Sequence, residues 1–198
     1  MKLVRLYPHM TPEQVTLIRN WSYPGLVDIR CSKLQPELCK FLLEAFDATT
    51  CKLVFPGRGS IDITEVSVEE VIGVPRGDLD VRYELDADAI TFMTKQLGNR
   101  GASWQPTITY LERKLAGMKN ADSAYLRLFI MYGMCPVLAP TTGTHISPRL
   151  YPSLVNIKHA NRLNMCKFVI MMLRQAAKSK DDQGIQKSCM LFLMVQFS

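Results

Sequence analysis

The sequence predicts a mostly α-helical fold: a single multi-helix domain over residues 1–198, with a small β-hairpin near residues 51–64. Two observations carry this prediction. Past residue 77, apolar residues recur at the three- and four-residue spacing of amphipathic helices. Only residues 51–64 combine alternating apolar and polar positions with a glycine turn, as hairpins do. A chain of 198 residues with 47% hydrophobic content can bury a core without disulfide support.

Two helices are expected before the hairpin. Thr11, Pro12 and Gln14 form a helix start, because the threonine can cap the helix and the glutamine can complete a capping box. This helix should end near Trp21, and a second helix should begin around Pro36. The apolar residues of the second helix repeat at helical spacing and are expected to form one buried stripe: Leu38, Phe41, Leu42, Ala45 and Phe46.

The hairpin is predicted from two strands, Cys51 to Phe55 and Ser60 to Thr64, joined by a glycine-rich turn. Gly57 and Gly59 are its structural residues, because glycine accepts the positive φ that such turns need. A phosphate-binding loop would need Gly-x-x-x-x-Gly-Lys-Ser/Thr between a strand and a helix. That pattern is missing here, so the glycines are interpreted as a turn and not as a phosphate site.

After the hairpin, Ser67-Val-Glu-Glu70 resembles a second capping box, which would place Glu69 and Glu70 in a first helical turn. Gly73 is positioned to end this short helix, and a second turn is expected at Pro75-Arg-Gly77. Further helical segments are expected from Asp86 to Gly98, from Thr107 to Met118, from Asp122 or Ser123 to a kink or stop at Pro136, briefly at Pro148, and from Ile185 to Phe197.

A long amphipathic helix is expected from about His159 to Lys178. Its predicted core face consists of Met165, Phe168, Val169, Met172 and Ala176. The opposite face carries Lys167, Arg174 and Lys178. A polar break from Ser179 to Gly184 follows.

Charge is unevenly distributed along the chain. The net charge is +6, yet residues 1–99 hold 11 Lys and Arg against 14 Asp and Glu, whereas residues 100–198 hold 13 against 4. A basic half suggests an acidic partner, either nucleic acid or an acidic protein surface; a solvated basic surface is the alternative. The candidate contact residues are Arg149, Lys158, Arg162, Lys167, Arg174 and Lys178. Few aromatic residues accompany them, so any nucleic-acid binding is expected to be non-specific.

The reactive side chains do not form a recognisable catalytic motif. Six cysteines, without a Cys-x-x-Cys pair and mostly in apolar surroundings, indicate reduced core thiols of an intracellular protein. The three histidines, His9, His145 and His159, are too scattered to predict a metal site. An enzyme that uses a cysteine together with His145 or His159 remains an alternative hypothesis.

No targeting or membrane segment is expected. The start, MKLVRLYPHM, lacks the apolar run of a signal peptide. The longest apolar stretch, Leu128 to Ala139, is too short to cross a bilayer and contains a glycine and a proline. The sequence therefore predicts a protein that is neither secreted nor bound in a membrane.

Several short motifs occur in order along the chain. They are Gly25-Leu-Val-Asp-Ile-Arg-Cys31, Leu38-Cys39, Phe46-Asp47, Pro56-Gly-Arg-Gly-Ser-Ile61, Thr64 to Gly77, Pro140-Thr-Thr, Ser147-Pro148 through Asn164, and Leu191-Phe192-Leu193. Together they resemble the plant mobile domain, also called the aminotransferase-like plant mobile domain, in its grass version. The resemblance spans about residues 25–197, and its first half is the more specific.

The resemblance implies a transposon-derived domain whose host members have nuclear functions such as transposon silencing and genome maintenance. It implies neither catalytic residues nor a pyridoxal lysine. Grass members often continue into a SUMO-type cysteine protease domain, which would lie beyond Ser198, so that activity does not transfer. Two departures suggest a shortened or diverging gene product: Asn164-Met165-Cys166 lacks an aromatic residue that relatives commonly carry, and the chain stops just after its last apolar segment.

The leading functional hypothesis is a non-catalytic, plant-mobile-domain-like protein that acts through a protein partner, in the nucleus rather than the cytoplasm. A non-specific nucleic-acid binder that uses the basic half is the first alternative, and the cysteine–histidine enzyme is the second. Neither a cofactor nor a small-molecule substrate is expected. Gly57, Gly59, Gly73 and Gly77 are predicted to be structural turn residues.

Overall fold

The computed structural model describes residues 3–31, 34–98, 105–138, 144–179 and 189–197. The architecture is mostly α-helical with a small antiparallel sheet, which confirms the predicted fold class. The helices are α1 Pro12–Asn20, α2 Gly25–Asp28, α3 Pro36–Ala45, α4 Glu65–Ile72, α5 Ala87–Leu97, α6 Ile108–Gly117, α7 Ser123–Gly133, α8 Pro152–Val155, α9 Met165–Ser179 and α10 Met190–Phe197. The strands are β1 Phe46–Asp47, β2 Lys52–Phe55 and β3 Gly59–Asp62.

Helix α1 begins at the predicted capping box. The Thr11 hydroxyl accepts a hydrogen bond from the Gln14 amide at 3.3 Å, and the Gln14 side-chain oxygen accepts one from the Thr11 amide at 2.9 Å. Gln14 is fully buried, and its amide nitrogen donates to the carbonyl oxygens of Met118 and Asn120. The residue that closes the cap therefore also fastens α1 to the connection between α6 and α7.

Helix α3 forms where it was predicted, but its buried stripe is narrower than the sequence indicates. Leu42 and Phe46 are buried, together with Cys39, which the predicted stripe omitted. Phe41 is 49% exposed, so the prediction that it belongs to the core is wrong. Helix α3 packs against α10, and the Phe41 ring contacts Phe197 of that helix outside the core.

The predicted hairpin is confirmed and extended by one strand. The sheet order is β1-β2-β3, with Leu53 opposite Ile61 and Phe55 opposite Gly59. Gly57 and Gly59 have positive φ values of 73° and 103°, and the Arg58 amide donates to the Phe55 carbonyl at 2.9 Å. These are the features of a type II turn with a following glycine, because proline precedes the positive-φ residue. Strand β1 has only two residues, too few for an alternating pattern to reveal it.

Helix α4 begins three residues before the predicted start. Its cap is Thr64, whose hydroxyl accepts from the Ser67 amide at 3.1 Å, while the Ser67 hydroxyl accepts from the Thr64 amide at 3.0 Å. Glu69 and Glu70 consequently lie in the second turn, not the first. The helix ends at Gly73, which adopts the left-handed conformation with φ of 63°.

Helix α7 forms the centre of the core. Every residue from Tyr125 to Gly133 is buried, which is the pattern of a helix surrounded on all sides. It packs against α1 and α6 and continues into a π-helical turn, Met134–Leu138. The chain thus changes helical geometry in the region where the sequence predicted that Pro136 would kink or stop it.

Helix α9 starts at Met165, later than predicted, because residues 157–162 form a 3-10 helix. The Asn164 side chain caps it by accepting from the Lys167 amide at 2.8 Å. The predicted core face is buried and the predicted basic face is exposed. The break at residues 180–184 and the residues 185–188 of the last apolar segment lie outside the described residues.

Residues 75–79 and 162–165 form a close main-chain contact, called here the backbone junction. The sequence predicted a turn at Pro75 to Gly77; the structure instead pairs this segment with the start of α9. The Leu79 amide donates to the Arg162 carbonyl at 2.8 Å, the Asn164 amide to the Leu79 carbonyl at 2.6 Å, and the Met165 amide to the Pro75 carbonyl at 2.9 Å. A Cβ atom on Gly77 would lie 2.0 Å from the Arg162 carbonyl oxygen. Glycine is thus required at position 77, because the main chain of residue 162 approaches too closely for a side chain.

The Gly77→Ala variant should be strongly destabilised. Its methyl group would overlap main-chain atoms that cannot rotate away, and we expect a loss of about 3 kcal/mol in the free energy of unfolding. Gly117→Ala is the matched control, because a Cβ atom there meets nothing within 4 Å and the residue ends a helix. Urea denaturation followed by circular dichroism measures both. Equal midpoints for the two variants would contradict the close approach.

Candidate functional site

One candidate site is a groove along α9, called here the α9 groove, with a volume of about 410 Å³. It contains three of the six predicted contact residues: Lys167, Arg174 and Lys178. The other three, Arg149, Lys158 and Arg162, are exposed but do not line the groove. The lining residues are Asp80, Val81, Asn164, Lys167, Phe168, Ile170, Met171, Arg174, Gln175 and Lys178.

Two of the predicted contact residues form ion pairs with acidic residues of the first half of the chain. The Lys167 amine contacts both carboxylate oxygens of Asp80, at 2.8 and 2.9 Å. The Arg162 guanidinium binds Asp78 through two parallel contacts, one of them 3.0 Å from Nε to Oδ1. Part of the basic surface is therefore neutralised within the molecule, which the sequence alone did not reveal.

These pairs shift the pKa values of their members in the expected directions. The hydrogen bond from Arg162 lowers the pKa of Asp78, and the hydrogen bond to Asp80 raises the pKa of Lys167. All four side chains are more than half exposed, so solvent screens both pairs. Their main effect is to fix side-chain positions beside the backbone junction.

Asn164 lines the groove and forms two side-chain hydrogen bonds. Its side-chain oxygen caps α9, and its side-chain nitrogen donates to the Glu65 carboxylate at 2.8 Å. One amide thereby connects the start of α9 to the start of α4. The sequence marked Asn164 only as part of a departure from the family pattern and did not predict its role in the site.

Arg174 and Lys178 provide the groove's remaining positive charge. The Arg174 Nε donates to the Ala48 carbonyl at 2.9 Å, which places the guanidinium beside the turn between β1 and β2. Asp47 fixes that turn by accepting hydrogen bonds from Thr49 and Thr50. Neither Arg174 nor Lys178 forms an ion pair within the part of the chain that the structure describes. Both cations can therefore interact with a ligand.

The floor of the groove is apolar. Ile170, Met171 and Val81 are half-buried and line it, as does the buried Phe168, whose ring lies 5.5 Å from the ring of Tyr83. Methionine adapts its shape to different partners, which suits a contact surface. The groove thus combines an apolar strip with two cations that have no ion-pair partner among the described residues, an arrangement that fits a ligand with apolar and acidic groups side by side.

The buried cysteines do not provide an activated nucleophile. Cys39, Cys135, Cys166 and Cys189 are buried, and burial raises the pKa of Cys166 and of Cys189 to about 12. A thiol with such a pKa stays protonated at neutral pH, and only the thiolate attacks efficiently. Cys31 and Cys51 are half-exposed.

Within residues 3–31, 34–98, 105–138, 144–179 and 189–197, no group of three or more His, Cys, Asp or Glu side chains could hold a metal ion. Among these same residues no helix is both long and apolar enough to cross a bilayer.

The fold and groove define a mostly α-helical protein with a small sheet and a mixed apolar and basic surface site. A family model described as a domain of unknown function (DUF8566) matches residues 1–194, and the chain belongs to this family. No curated protein and no solved structure matches the sequence. The resemblance to the plant mobile domain stays a prediction, because the family description does not mention it.

The Asp78–Arg162 pair should make stability depend on pH at the acidic end. A carboxylate whose pKa is lowered by folding contributes stability above its unfolded pKa and loses it as the pH falls through the folded value. We expect Asp78→Asn to be less stable than the wild type at neutral pH, with a difference that begins to shrink near the unfolded pKa of about 4 and vanishes only below the lowered pKa of the folded protein. Urea midpoints across this range measure it, with Glu70→Gln as control. A difference that persists in acid would mean that Asp78 acts through packing.

Thiol labelling should separate the six cysteines into two groups. We expect Cys31 and Cys51 to react first with a thiol reagent at neutral pH, because they are half-exposed, and the four buried thiols to react only as the chain unfolds. Mass spectrometry of partially labelled protein identifies the order. A buried cysteine that reacts fastest in the folded protein would instead support the hypothesis of a cysteine–histidine enzyme.

Proposed function

We propose that the protein is a non-catalytic interaction module whose α9 groove binds an acidic, amphipathic segment of a partner protein. One observation carries the proposal: Ile170 and Met171 form an apolar floor between cations, and Arg174 and Lys178 have no acidic partner among the described residues. An amphipathic helix with apolar and acidic residues on one face would satisfy both features.

The same contacts favour a protein partner over nucleic acid. Phosphate-backbone binding needs several free cations along a groove, and affinity then falls steeply with salt. Lys167 is already paired with Asp80, so it adds little to the positive charge that a phosphate backbone would need along the groove. If only Arg174 and Lys178 neutralised phosphates, log affinity would fall with log salt at a slope of only about −2.

Non-specific nucleic-acid binding is the second candidate. It is supported by the exposed side chains of Arg149 and Lys158, which form no ion pair with the residues the structure describes, together with Arg174 and Lys178. A salt series with random-sequence DNA and RNA tests this candidate. A slope much steeper than about −2 would show that more than two cations contact phosphate. Nucleic-acid binding would then be favoured over binding of a protein segment.

The broader assignment rests on the ordered motifs between residues 25 and 197. We extend the proposal to a transposon-derived, plant-mobile-domain-like protein that acts in the nucleus, in genome maintenance or transposon silencing. The raised pKa values of Cys166 and Cys189 argue against these two buried thiols as nucleophiles. Microscopy of the tagged chain tests the nuclear assignment, and exclusion from nuclei would remove it.

Binding to a designed peptide tests the groove directly. The probe is a helical peptide with leucine and glutamate on one face, and its control replaces each leucine with serine. We expect the leucine peptide to bind the purified chain more tightly, because only it fills the apolar floor. Fluorescence anisotropy measures both affinities. Equal affinities would mean that charge alone attracts the peptide, which contradicts the proposed site.

Charge reversal should place this binding at the α9 groove. We expect Lys178→Glu to weaken binding of the leucine peptide about tenfold, the size of one charge-assisted contact. Lys95→Glu is the matched control: it makes the same change in net charge at an exposed position on α5, away from the groove lining. Equal weakening by both variants would indicate long-range attraction to the whole protein and would overturn the assignment.

A further inference from the structure

Strand β3 lies at the edge of the sheet, and no strand among the described residues pairs with its outer side. The order β1-β2-β3 leaves it with one neighbouring strand. The Ile63 amide donates to the Cys51 carbonyl at 2.9 Å, so Ile63 and Cys51 form a hydrogen-bonded pair of the antiparallel ladder. Hydrogen-bonded pairs alternate with non-hydrogen-bonded pairs along such a ladder. By that alternation Ile61 and Gly59 direct their main-chain groups to β2, whereas Ser60 and Asp62 direct theirs outward. The outer edge therefore presents main-chain donors and acceptors to solvent.

An apolar cluster borders this edge. The rings of Phe41, Phe55 and Phe197 lie with centroids 5.3 to 6.3 Å apart, and Phe41 and Phe197 are each more than 40% exposed. Val54, on the neighbouring strand, is 42% exposed. A groove of about 760 Å³ runs between this cluster and β3. Exposed aromatic groups beside an unpaired strand are typical of a surface that is covered by another chain.

The charged residues around Ser60 are self-complementary. Arg58, the last residue of the turn before β3, lies two residues before Ser60, and Asp62, the last residue of β3, lies two residues after it. If two copies pair antiparallel with Ser60 opposite Ser60, Arg58 of each copy lies opposite Asp62 of the other. A two-fold contact requires this symmetry, because the same patch must match itself. An unrelated strand would use the same main-chain groups but would not need a cation and an anion equally spaced from the centre.

The same register also accommodates the side chains. Ile61 of the second copy would lie opposite Gly59, on the sheet face that carries Phe55. A Cβ atom on Gly59 would meet nothing within 4 Å, so the space beside it is open. Ile61 is half-buried in one copy and would become covered by the other. The Asp62 side chain already contacts Lys52 at 3.0 Å and is 67% exposed, so it can accept a second cation.

We propose that the protein forms a two-fold symmetric dimer through antiparallel pairing of β3 with β3 of a second copy, centred on Ser60. The two Ser60 residues exchange main-chain hydrogen bonds, and two Arg58–Asp62 pairs fix the register. The two sheets join into one sheet of six strands, and the aromatic clusters flank the contact. The proposal is independent of the α9 groove, whose lining includes no residue of β3.

Charge exchange across the edge tests the register. Sedimentation equilibrium over a concentration series should show a reversible monomer–dimer equilibrium for the wild type. We expect Arg58→Glu or Asp62→Arg alone to weaken dimerisation about tenfold, because each places like charges opposite each other twice in the dimer. The double variant Arg58→Glu/Asp62→Arg should regain most of the lost affinity, since it restores both pairs in reversed order. Thermal melting verifies that each monomer remains folded.

Two further variants separate edge pairing from other modes of association. Ser60→Pro removes the outward donor without touching the β2 ladder, so it should abolish the dimer and leave the circular dichroism spectrum unchanged. Leu85→Asp alters an exposed apolar residue away from the sheet and should leave the dimer intact. A monomer at all concentrations, a dimer insensitive to the β3 variants, or no recovery in the double variant would each overturn the proposal. Binding of an extended peptide by a protein that stays monomeric would likewise overturn it.

Discussion

The backbone junction is the contact on which the rest of the structure depends. Residues 75–79 can approach residues 162–165 only because Gly77 has no side chain to collide with the Arg162 carbonyl. The main-chain hydrogen bonds across the junction determine where α9 starts and which way it points. They also bring Asp78 and Asp80 beside Arg162 and Lys167, partners that are 84 and 87 residues apart in the sequence. The groove and its charge pattern therefore follow from one close approach of two main-chain segments, residues 75–79 and residues 162–165.

Local signals in the sequence were sufficient for most of the helices. Capping residues such as Thr11, Asp86 and Thr107 act within one helical turn, so their sequence pattern carries the full physical reason for the helix start. The start of α4 was missed because Thr64 and Ser67 form a cap in which serine replaces the usual glutamate or glutamine. The strand β1 was missed because two residues are too short for a periodic pattern to appear.

The sequence predicts the basic residues of the groove but not the acidic residues that pair with them. Helical periodicity placed Lys167, Arg174 and Lys178 on one exposed face, and the structure shows them along one groove. Periodicity carries no information about contacts between distant segments, so it could not show that Asp80 neutralises Lys167. The surplus of basic residues in the second half thus overstated the charge available to a ligand, because acidic residues of the first half fold onto it. This internal pairing is the reason why we propose an amphipathic protein segment, and not a polyanion, as the ligand of the groove.

Phe41 shows how a wrong prediction about the core can point to an interface. Its spacing in α3 matches Leu38, Leu42 and Ala45, which made it part of the expected buried stripe, yet the core meets only the side of α3 that carries Cys39 and Leu42. The apolar face of the helix is therefore wider than the surface that covers it within the molecule. Phe197 and Phe55 extend the uncovered part into a cluster beside the unpaired edge of β3. A stripe wider than its internal contact leaves apolar area exposed to water, and a second copy at the β3 edge would remove part of that cost.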